Sequence, residues 1–207
     1  MSITKQRFKN KLLHPLNGVK GTYYRYFNRW KFRFLGVKLG RNADIRNKVY
    51  LHIADDAIAS IGDQITLLSG DNLNPLCGNN LTGITLYPQS CLTIGHNFGM
   101  SGGAIWCTQN ITIGNHVNIG ANCIIVDADM HNIDWRLRRK DREETIEYKK
   151  APVIIDDDVW IGVNCIILKG VHIGSHSIIG AGSVVTKDIP ADCIASGNPC
   201  GVIRYLK

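Results

Sequence analysis

The chain has 207 residues, of which 44% are hydrophobic and 20% charged, a composition typical of one folded domain rather than of a disordered, collagen-like or coiled-coil protein. No run of apolar residues approaches the roughly 18 needed to cross a membrane, and the N-terminus lacks the apolar core of a signal peptide, so we expect a cytoplasmic protein. The net charge of +7 is uneven, because residues 1–50 carry 13 of the 24 basic residues and one acidic residue, Asp44.

The first predicted element is this basic N-terminal segment, residues 1–38, in which aromatic and basic side chains are mixed between Tyr23 and Phe34. One interpretation is a partly helical segment that packs its aromatic residues on the body and leaves its charges in water. The other is a segment that contacts anionic lipid or a phosphate-bearing substrate, because aromatic and cationic side chains together suit a membrane surface. The sequence leaves both open.

From residue 39 onward the main signal is a repeat of six residues. Counting from residue 155, every sixth residue is β-branched: Ile155, Ile161, Ile167, Ile173, Ile179 and Val185. A helix repeats about every 3.6 residues and a strand every second residue, so a period of six predicts a chain that turns a corner every six residues. We therefore predict a parallel β-helix with three short faces per coil over residues 39–199, followed by a tail, residues 200–207. The absence of charged residues from 72 to 126 fits stacked coils, in which like charges would face each other.

The repeat is interrupted between Ile125 and Ile155, which predicts a loop, residues 127–152, inserted into one coil. Loops on a rigid scaffold often carry functional residues. This loop opens with Asp127, Asp129 and His131, which face the same side if the backbone is extended. Carboxylates beside an imidazole fix its tautomer and stabilise its protonated form, so His131 is the candidate general base and the two aspartates are its catalytic partners. The alternative for His131 is a hydrogen bond that anchors the loop.

The repeat resembles the hexapeptide-repeat acyltransferases, and most closely their sugar O-acetyltransferase branch. The motifs that carry the resemblance are Val159-Trp160-Ile161-Gly162, the run from Ile179 to Pro190, and Gly197-Asn198-Pro199. The resemblance implies an all-β, left-handed parallel β-helix, a homotrimer, acetyl-CoA as acyl donor and no metal. It implies that an acceptor hydroxyl attacks the thioester directly while His131 takes its proton. The CoA contacts that it implies are Trp160, Gly162, Ala181, Thr186, Lys187 and Arg204.

The implied acceptor is a saccharide or a nucleotide sugar. Where the sugar acetyltransferases carry an Asn and an Asp, this sequence has Met100, Ser101 and Thr108, and we take Ser101 and Met100 as candidate acceptor contacts. A phosphate-bearing acceptor would suit the basic residues of the inserted loop, and a solvated loop with internal ion pairs is the alternative. These basic residues are Arg136, Arg138, Arg139, Lys140 and Arg142.

Particular residues bear on four alternative functions or mechanisms. N-acetylation of an amino sugar or xenobiotic is the alternative within the enzyme class, because one base and one thioester serve either acceptor. A zinc hydratase of the γ-class carbonic anhydrase type has a close His pair five residues apart, whereas His172 and His176 are four apart. A purely structural β-helix would not bind CoA. A cysteine nucleophile is disfavoured, because Cys123 and Cys165 occupy inward repeat positions, and no nucleic acid partner is expected.

Overall fold

The structure is a computed structural model that describes residues 17–70, 73–139 and 148–207. Residues 1–16 of the basic N-terminal segment lie outside the described residues, and so do the loop residues Lys140 and Arg142. Two helices are present in the described part, α1 (Asn17–Phe34) and the short α2 (Trp135–Arg138), with a single 3₁₀ turn at Pro75–Cys77.

Within the described residues, twenty strands build three sheets that form the faces of a prism. Sheet A contains β1 (Lys38–Leu39), β4 (Ile58–Ile61), β7 (Cys91–Ile94), β10 (Asn110–Ile113), β13 (Val153–Ile155) and β16 (His172–Ile173). Sheet B contains β2 (Asp44–Arg46), β5 (Thr66–Leu68), β8 (Gly99–Ser101), β11 (Asn118–Ala121), β14 (Trp160–Ile161), β17 (Ile178–Ile179), β19 (Cys193–Gly197) and β20 (Cys200–Tyr205). Sheet C contains β3 (Tyr50–Ile53), β6 (Gly83–Leu86), β9 (Ala104–Cys107), β12 (Ile124–Val126), β15 (Ile166–Ile167) and β18 (Val184–Val185).

From β1 to β18, consecutive strands visit sheets A, B and C in turn, so three strands make one coil. Strands of successive coils pair in parallel: Ile119 lies opposite Ile161, and Ile161 opposite Ile179. The exception is β20, which folds back antiparallel to β19 and ends sheet B. The parallel β-helix predicted from the six-residue period is therefore confirmed.

The predicted inward residues form the core of the prism. All six β-branched residues counted from Ile155 are at most 1% exposed. The small residues that share the interior include Ser183, whose hydroxyl donates to the carbonyl of Gly180, so the buried polar atom is satisfied. At the corner after β14, a Cβ on Gly162 would lie 2.6 Å from the backbone nitrogen of Ala181, so only glycine allows successive coils to approach this closely.

Helix α1 closes the open end of the prism at the first coil. Asn28 is buried, and its amide donates to the carbonyls of Ile45 (3.1 Å) and Asn47 (2.8 Å). Arg29 and Lys31 donate in the same way to other carbonyls of this coil, at 2.7 and 2.9 Å. Since no coil precedes the first one, these side chains supply hydrogen bonds to its edge. No helix in the described part of the chain is long and apolar enough to span a membrane.

A second interruption, which the sequence analysis did not identify, separates β5 from β6. Residues 69–82 leave the corner between sheets B and C, and the 3₁₀ turn lies within them. Asn122 fastens this insertion to a later coil, because its amide donates to the carbonyl of Leu76 (2.9 Å) and its oxygen accepts from Asn80 (3.0 Å). We refer to residues 69–82 as the corner insertion.

Candidate functional site

The inserted loop leaves sheet C at Val126 and enters sheet A at Val153, so it projects from the corner between these sheets. Its two ends are joined by backbone hydrogen bonds. Asp129 donates to the carbonyl of Lys149 (3.0 Å), and Ala151 donates to the carbonyl of Asp127 (2.9 Å). The base of the loop is therefore held to the prism by its own backbone.

Asp127 is fully buried beneath this base. One carboxylate oxygen accepts from the backbone nitrogen and the hydroxyl of Thr108, at 2.7 and 2.8 Å. The other oxygen accepts from the backbone nitrogens of Gln109 (2.7 Å) and Asn110 (2.9 Å). Both oxygens are thus used by the turn of the preceding coil, which makes Asp127 an anchor for that turn. The structure departs here from the expectation that Asp127 faces the imidazole of His131.

Asp129 and His131 lie on the exposed continuation of the loop. Asp129 forms an ion pair with Lys169 at 2.5 Å through one oxygen, and its other oxygen is buried without a hydrogen-bond partner among the described residues. Met130 between them has a φ of 61°, so the backbone is not extended over this stretch and the simple alternation of faces does not hold. His131 itself is exposed.

The loop beyond His131 carries a short basic helix. Asp134 begins α2 by accepting from the backbone nitrogen of Arg136 at 2.8 Å. The guanidinium of Arg139 lies 4.3 Å from the centre of the Trp135 ring, and that of Arg138 donates to backbone carbonyls of the loop. Arg136 pairs with Asp134 at 3.6 Å, so three of the basic residues predicted to meet a phosphate are engaged within the loop.

Sheet B carries four of the six predicted CoA contacts. Trp160 is 57% exposed on the outer face of the sheet, and Gly162 and Ala181 touch at the corner that follows it. Arg204 continues the column of side chains below Trp160, because it lies opposite Ile194, which is in register with Ile178 and so with Trp160. The structure brings these residues together along one edge of the prism.

Thr186 and Lys187 lie apart from that edge. They follow β18 of sheet C and are exposed at the corner between sheets C and A, the same corner from which the inserted loop projects. Lys187 makes no ion pair with any residue that the structure describes. The predicted CoA contacts are therefore divided between two edges of one prism.

A groove of about 460 Å³ lies on the outer face of sheet B above Trp160. It exists because Gly99 has no side chain between Thr66 and Asn118, its neighbours on the adjacent strands. Of the two candidate acceptor contacts, Ser101 lines this groove, whereas Met100 is 2% exposed and belongs to the core. The other polar side chains that line it are the uncharged Gln64, Thr66, Asn97 and Asn118, and the apolar Leu68, Phe98 and Ile119 also contribute.

Sequence reasoning missed most of this groove. Gln64, Thr66, Asn97 and Asn118 come from three coils and have no common motif, so only the strand register brings them together. The corner insertion is fastened next to Ser101, because the backbone nitrogen of Gly102 donates to the hydroxyl of Thr82 at 3.1 Å. A signal for the insertion was present, since the turn formers Gly70, Pro75 and Gly78 interrupt the six-residue period there.

The two cysteines that the sequence analysis considered as nucleophiles lie inside the prism. Cys123 and Cys165 are fully buried in the prism, where their thiols donate to carbonyls of the next coil at 3.0 and 3.2 Å. Burial and the adjacent charge of Asp127 raise the pKa of Cys107 to about 12. The described residues of this one chain contain no cluster of His, Cys, Asp or Glu that could hold a metal ion.

Comparison with known proteins agrees with this architecture. Residues 110–126 and 152–187 match the family model described as the hexapeptide repeat of succinyl-transferase. Galactoside O-acetyltransferase of Lactococcus lactis is 44% identical over 97 residues, which cover 47% of this chain and 44% of that protein. Like this one, the other matches to curated relatives span about half of the relative's length.

Two solved structures share the fold. A hexapeptide-repeat containing acetyltransferase from Vibrio cholerae is 27% identical with a TM-score of 0.54, over 95% of this chain and 92% of that chain. AntD, an N-acyltransferase from Bacillus cereus in complex with dTDP-4-amino-4,6-dideoxyglucose and coenzyme A, has a TM-score of 0.66 at 20% identity. This second similarity covers 86% of this chain and 89% of that chain, and it shows the fold alone.

Proposed function

We propose that this chain, a left-handed β-helix protein with the repeats of the hexapeptide-repeat acetyltransferases, transfers an acetyl group from acetyl-CoA to a saccharide hydroxyl. The observation that carries the proposal is that one chain holds both an exposed His131, on a loop anchored to a rigid prism, and a polar groove on another face of that prism. A structural β-helix would need neither feature.

In the proposed reaction His131 takes the proton of the acceptor hydroxyl as its oxygen bonds to the acetyl carbon. The carbon–sulfur bond of acetyl-CoA then breaks, and the proton passes from the imidazole to the CoA sulfur, so the free thiol leaves and the base is restored. Asp129 is the proposed partner of His131, and its buried unpartnered carboxylate oxygen supports this role. Asp127, predicted to share that role, instead positions the loop.

Side chains along two edges of the prism suit the pantetheine arm and the phosphates of acetyl-CoA. Trp160 presents an exposed indole against which the pantetheine arm can pack, and Gly162 and Ala181 contact each other at the corner beside it. Lys187 and Arg204 are exposed cations suited to phosphate oxygens, and Thr186 adds a hydroxyl. These assignments are the ones that the resemblance implies, and the chemistry and exposure of the side chains support them.

The groove on sheet B is the proposed acceptor site. Its uncharged amide and hydroxyl side chains match the hydroxyls of a neutral sugar, and they offer no cation to a phosphate. Ser101 is the proposed hydrogen-bond donor to the acceptor or to the developing oxyanion. A nucleotide sugar would have to place its phosphates outside the groove.

A homotrimer is part of the proposal, because one chain does not bring the two halves of the site together. The loop with His131 projects from the corner between sheets C and A, whereas the groove lies on sheet B. The outer face of sheet C carries an apolar column that a partner would cover, Ala104, Ile124, Ile166 and Val184. Threefold packing of prisms would let the loop of one subunit meet the groove of the next.

A cytoplasmic location is also proposed, and the seven free cysteines fit it.

An assay of CoA release from acetyl-CoA tests this function, with the protein incubated with neutral sugars, nucleotide sugars and amino sugars in turn. We expect release with a neutral sugar and an ester on one of its hydroxyls, identified by mass spectrometry. An amide product would assign N-acetylation instead. Absence of CoA binding in calorimetry would contradict the enzymatic proposal and leave the β-helix as a scaffold.

Filling the groove tests the acceptor site. We expect Gly99→Val to raise the KM for the saccharide by about tenfold and to leave the KM for acetyl-CoA unchanged, because the new side chain occupies the notch between Thr66 and Asn118. The strand tolerates valine, and the nearest atom to a new Cβ is the mobile amide oxygen of Asn118 at 3.0 Å. Steady-state kinetics with each substrate varied in turn provides the measurement.

The matched control is Gly201→Val, which makes the same change at a strand glycine with no atom within 4 Å of the added Cβ. Its saccharide KM should remain that of the unmodified protein. Equal acceptor kinetics in the Gly99 and Gly201 variants would place the acceptor elsewhere.

A further inference from the structure

The outer face of helix α1 carries a continuous stripe of exposed apolar side chains. Its members are spaced three and four residues apart, so they lie on one side of the helix. They are between 56% and 72% exposed, and we call Val19, Tyr23, Tyr26, Trp30 and Phe34 the aromatic stripe. An exposed apolar stripe of this length on a solvent-facing surface marks an interaction site.

The helix cannot turn this stripe into the core. Its opposite face is fixed by the buried Asn28 and Phe32 and by the hydrogen bonds from Arg29 and Lys31 to the first coil. The stripe is also preorganised, because the rings of Trp30 and Phe34 stack with their centres 5.0 Å apart. Its exposure is therefore a consequence of how α1 closes the prism.

The charge around the stripe is positive. Helix α1 contains five basic residues and no acidic residue. Arg25, Arg29 and Lys31 contact the body, whereas Arg33 is exposed beside the stripe and Lys38 follows the helix. The sequence before the helix adds four further basic residues, Lys5, Arg7, Lys9 and Lys11. An anionic surface would complement this end of the molecule.

We propose that the aromatic stripe docks the protein on an anionic lipid surface, with α1 lying in the plane of the interface. Tyrosine and tryptophan suit this position because their rings enter the acyl boundary while their polar atoms stay among the headgroups. The exposed cations then meet lipid phosphates. Docking of the stripe against that of a second copy is disfavoured, since it would bring two basic segments together. This inference goes beyond acetyl transfer and holds whether or not the site is catalytic.

Sedimentation of the full-length protein with vesicles tests the proposal. We expect binding to phosphatidylglycerol vesicles to be at least about tenfold tighter than to phosphatidylcholine vesicles, and to weaken as salt is raised. The triple variant Tyr26→Ser, Trp30→Ser, Phe34→Ser should lose binding by a similar factor. Arg33→Glu should weaken binding to phosphatidylglycerol and leave the weak binding to phosphatidylcholine unchanged.

Two controls keep the result interpretable. Tyr205→Ser removes an equally exposed aromatic residue at the other end of the prism and should bind vesicles as the unmodified protein does. Brominated lipid should quench the fluorescence of the unmodified protein, and Trp30→Phe should remove that quenching while circular dichroism shows the fold intact.

Four results would overturn the proposal. The first is equal binding of the triple variant and the unmodified protein, and the second is equal or absent binding of the unmodified protein to both lipids. The third is a Trp30 already shielded from acrylamide without vesicles, which would assign the stripe to contact between copies of the chain. Binding of RNA that depends on the stripe and excludes vesicles would assign it to a nucleic acid instead.

Discussion

Replacing His131 with alanine is expected to lower kcat/KM for acetyl transfer by about a hundred- to ten-thousandfold, the usual contribution of a positioned general base. The binding of CoA should not change, because the residues proposed to hold it lie on strands and corners of the prism. His131 is exposed on the loop, so its removal leaves no cavity in the core. Steady-state kinetics gives the first quantity and calorimetry with CoA gives the second.

The control for this experiment is His52→Ala, which removes an exposed histidine from the first coil, far along the chain from the loop. Asp129→Asn extends the test. If Asp129 acts through His131, its replacement should reduce activity when His131 is present and have little further effect when His131 is alanine. Activity of the His131 variant within about twofold of the unmodified protein would remove histidine from the mechanism, because a general base contributes far more than that.

The second large effect is expected from Asp127→Asn, which should lower the free energy of unfolding by about 3 kcal/mol. The carboxylate of Asp127 is fully buried and accepts four hydrogen bonds from the turn at residues 108–110. An amide of the same shape turns its NH₂ group toward those donors, so at least one backbone N–H loses its partner in the interior. Chemical denaturation monitored by circular dichroism measures the loss.

The matched control is Asp157→Asn, because Asp157 also accepts from a turn nitrogen, that of Asn115 at 2.6 Å, but is exposed to water. Its replacement should destabilise the protein far less, since water can satisfy the released donors.

A separate readout distinguishes anchoring from catalysis. If Asp127 only anchors the loop, the Asp127 variant assayed at a temperature where it is folded keeps the pH dependence of kcat/KM of the unmodified protein. A changed pH profile in the folded variant would instead restore the catalytic role predicted from the sequence.

The different outcomes for Asp127 and Asp129 show where sequence reasoning was limited. The break in the period predicted a loop between Ile125 and Ile155. In the structure, β12 ends just before this loop and β13 begins just after it. The roles of the two aspartates depended on backbone direction, which the left-handed conformation of Met130 changes. The partner of Asp127 is Thr108, nineteen residues earlier, and no local pattern identifies it.

The N-terminal segment shows a similar division. Sequence composition distinguished it from the body and left two interpretations, a helix packed on the prism or a surface for lipid or phosphate. In the structure α1 packs on the first coil through one face and leaves the aromatic stripe exposed on the other. The two interpretations thus describe opposite sides of one helix, and only the packing assigns each residue to its side.

The sequence by itself determined the parallel β-helix, its inward residues and the position of the inserted loop, because a six-residue period is a local property repeated along the chain. Tertiary structure decided the groove at Gly99, the burial of Asp127 and the separation of His131 from Ser101. These features depend on which coils lie next to each other and on where a corner points a side chain. Register between strands sets both, and it joins residues that are distant in sequence.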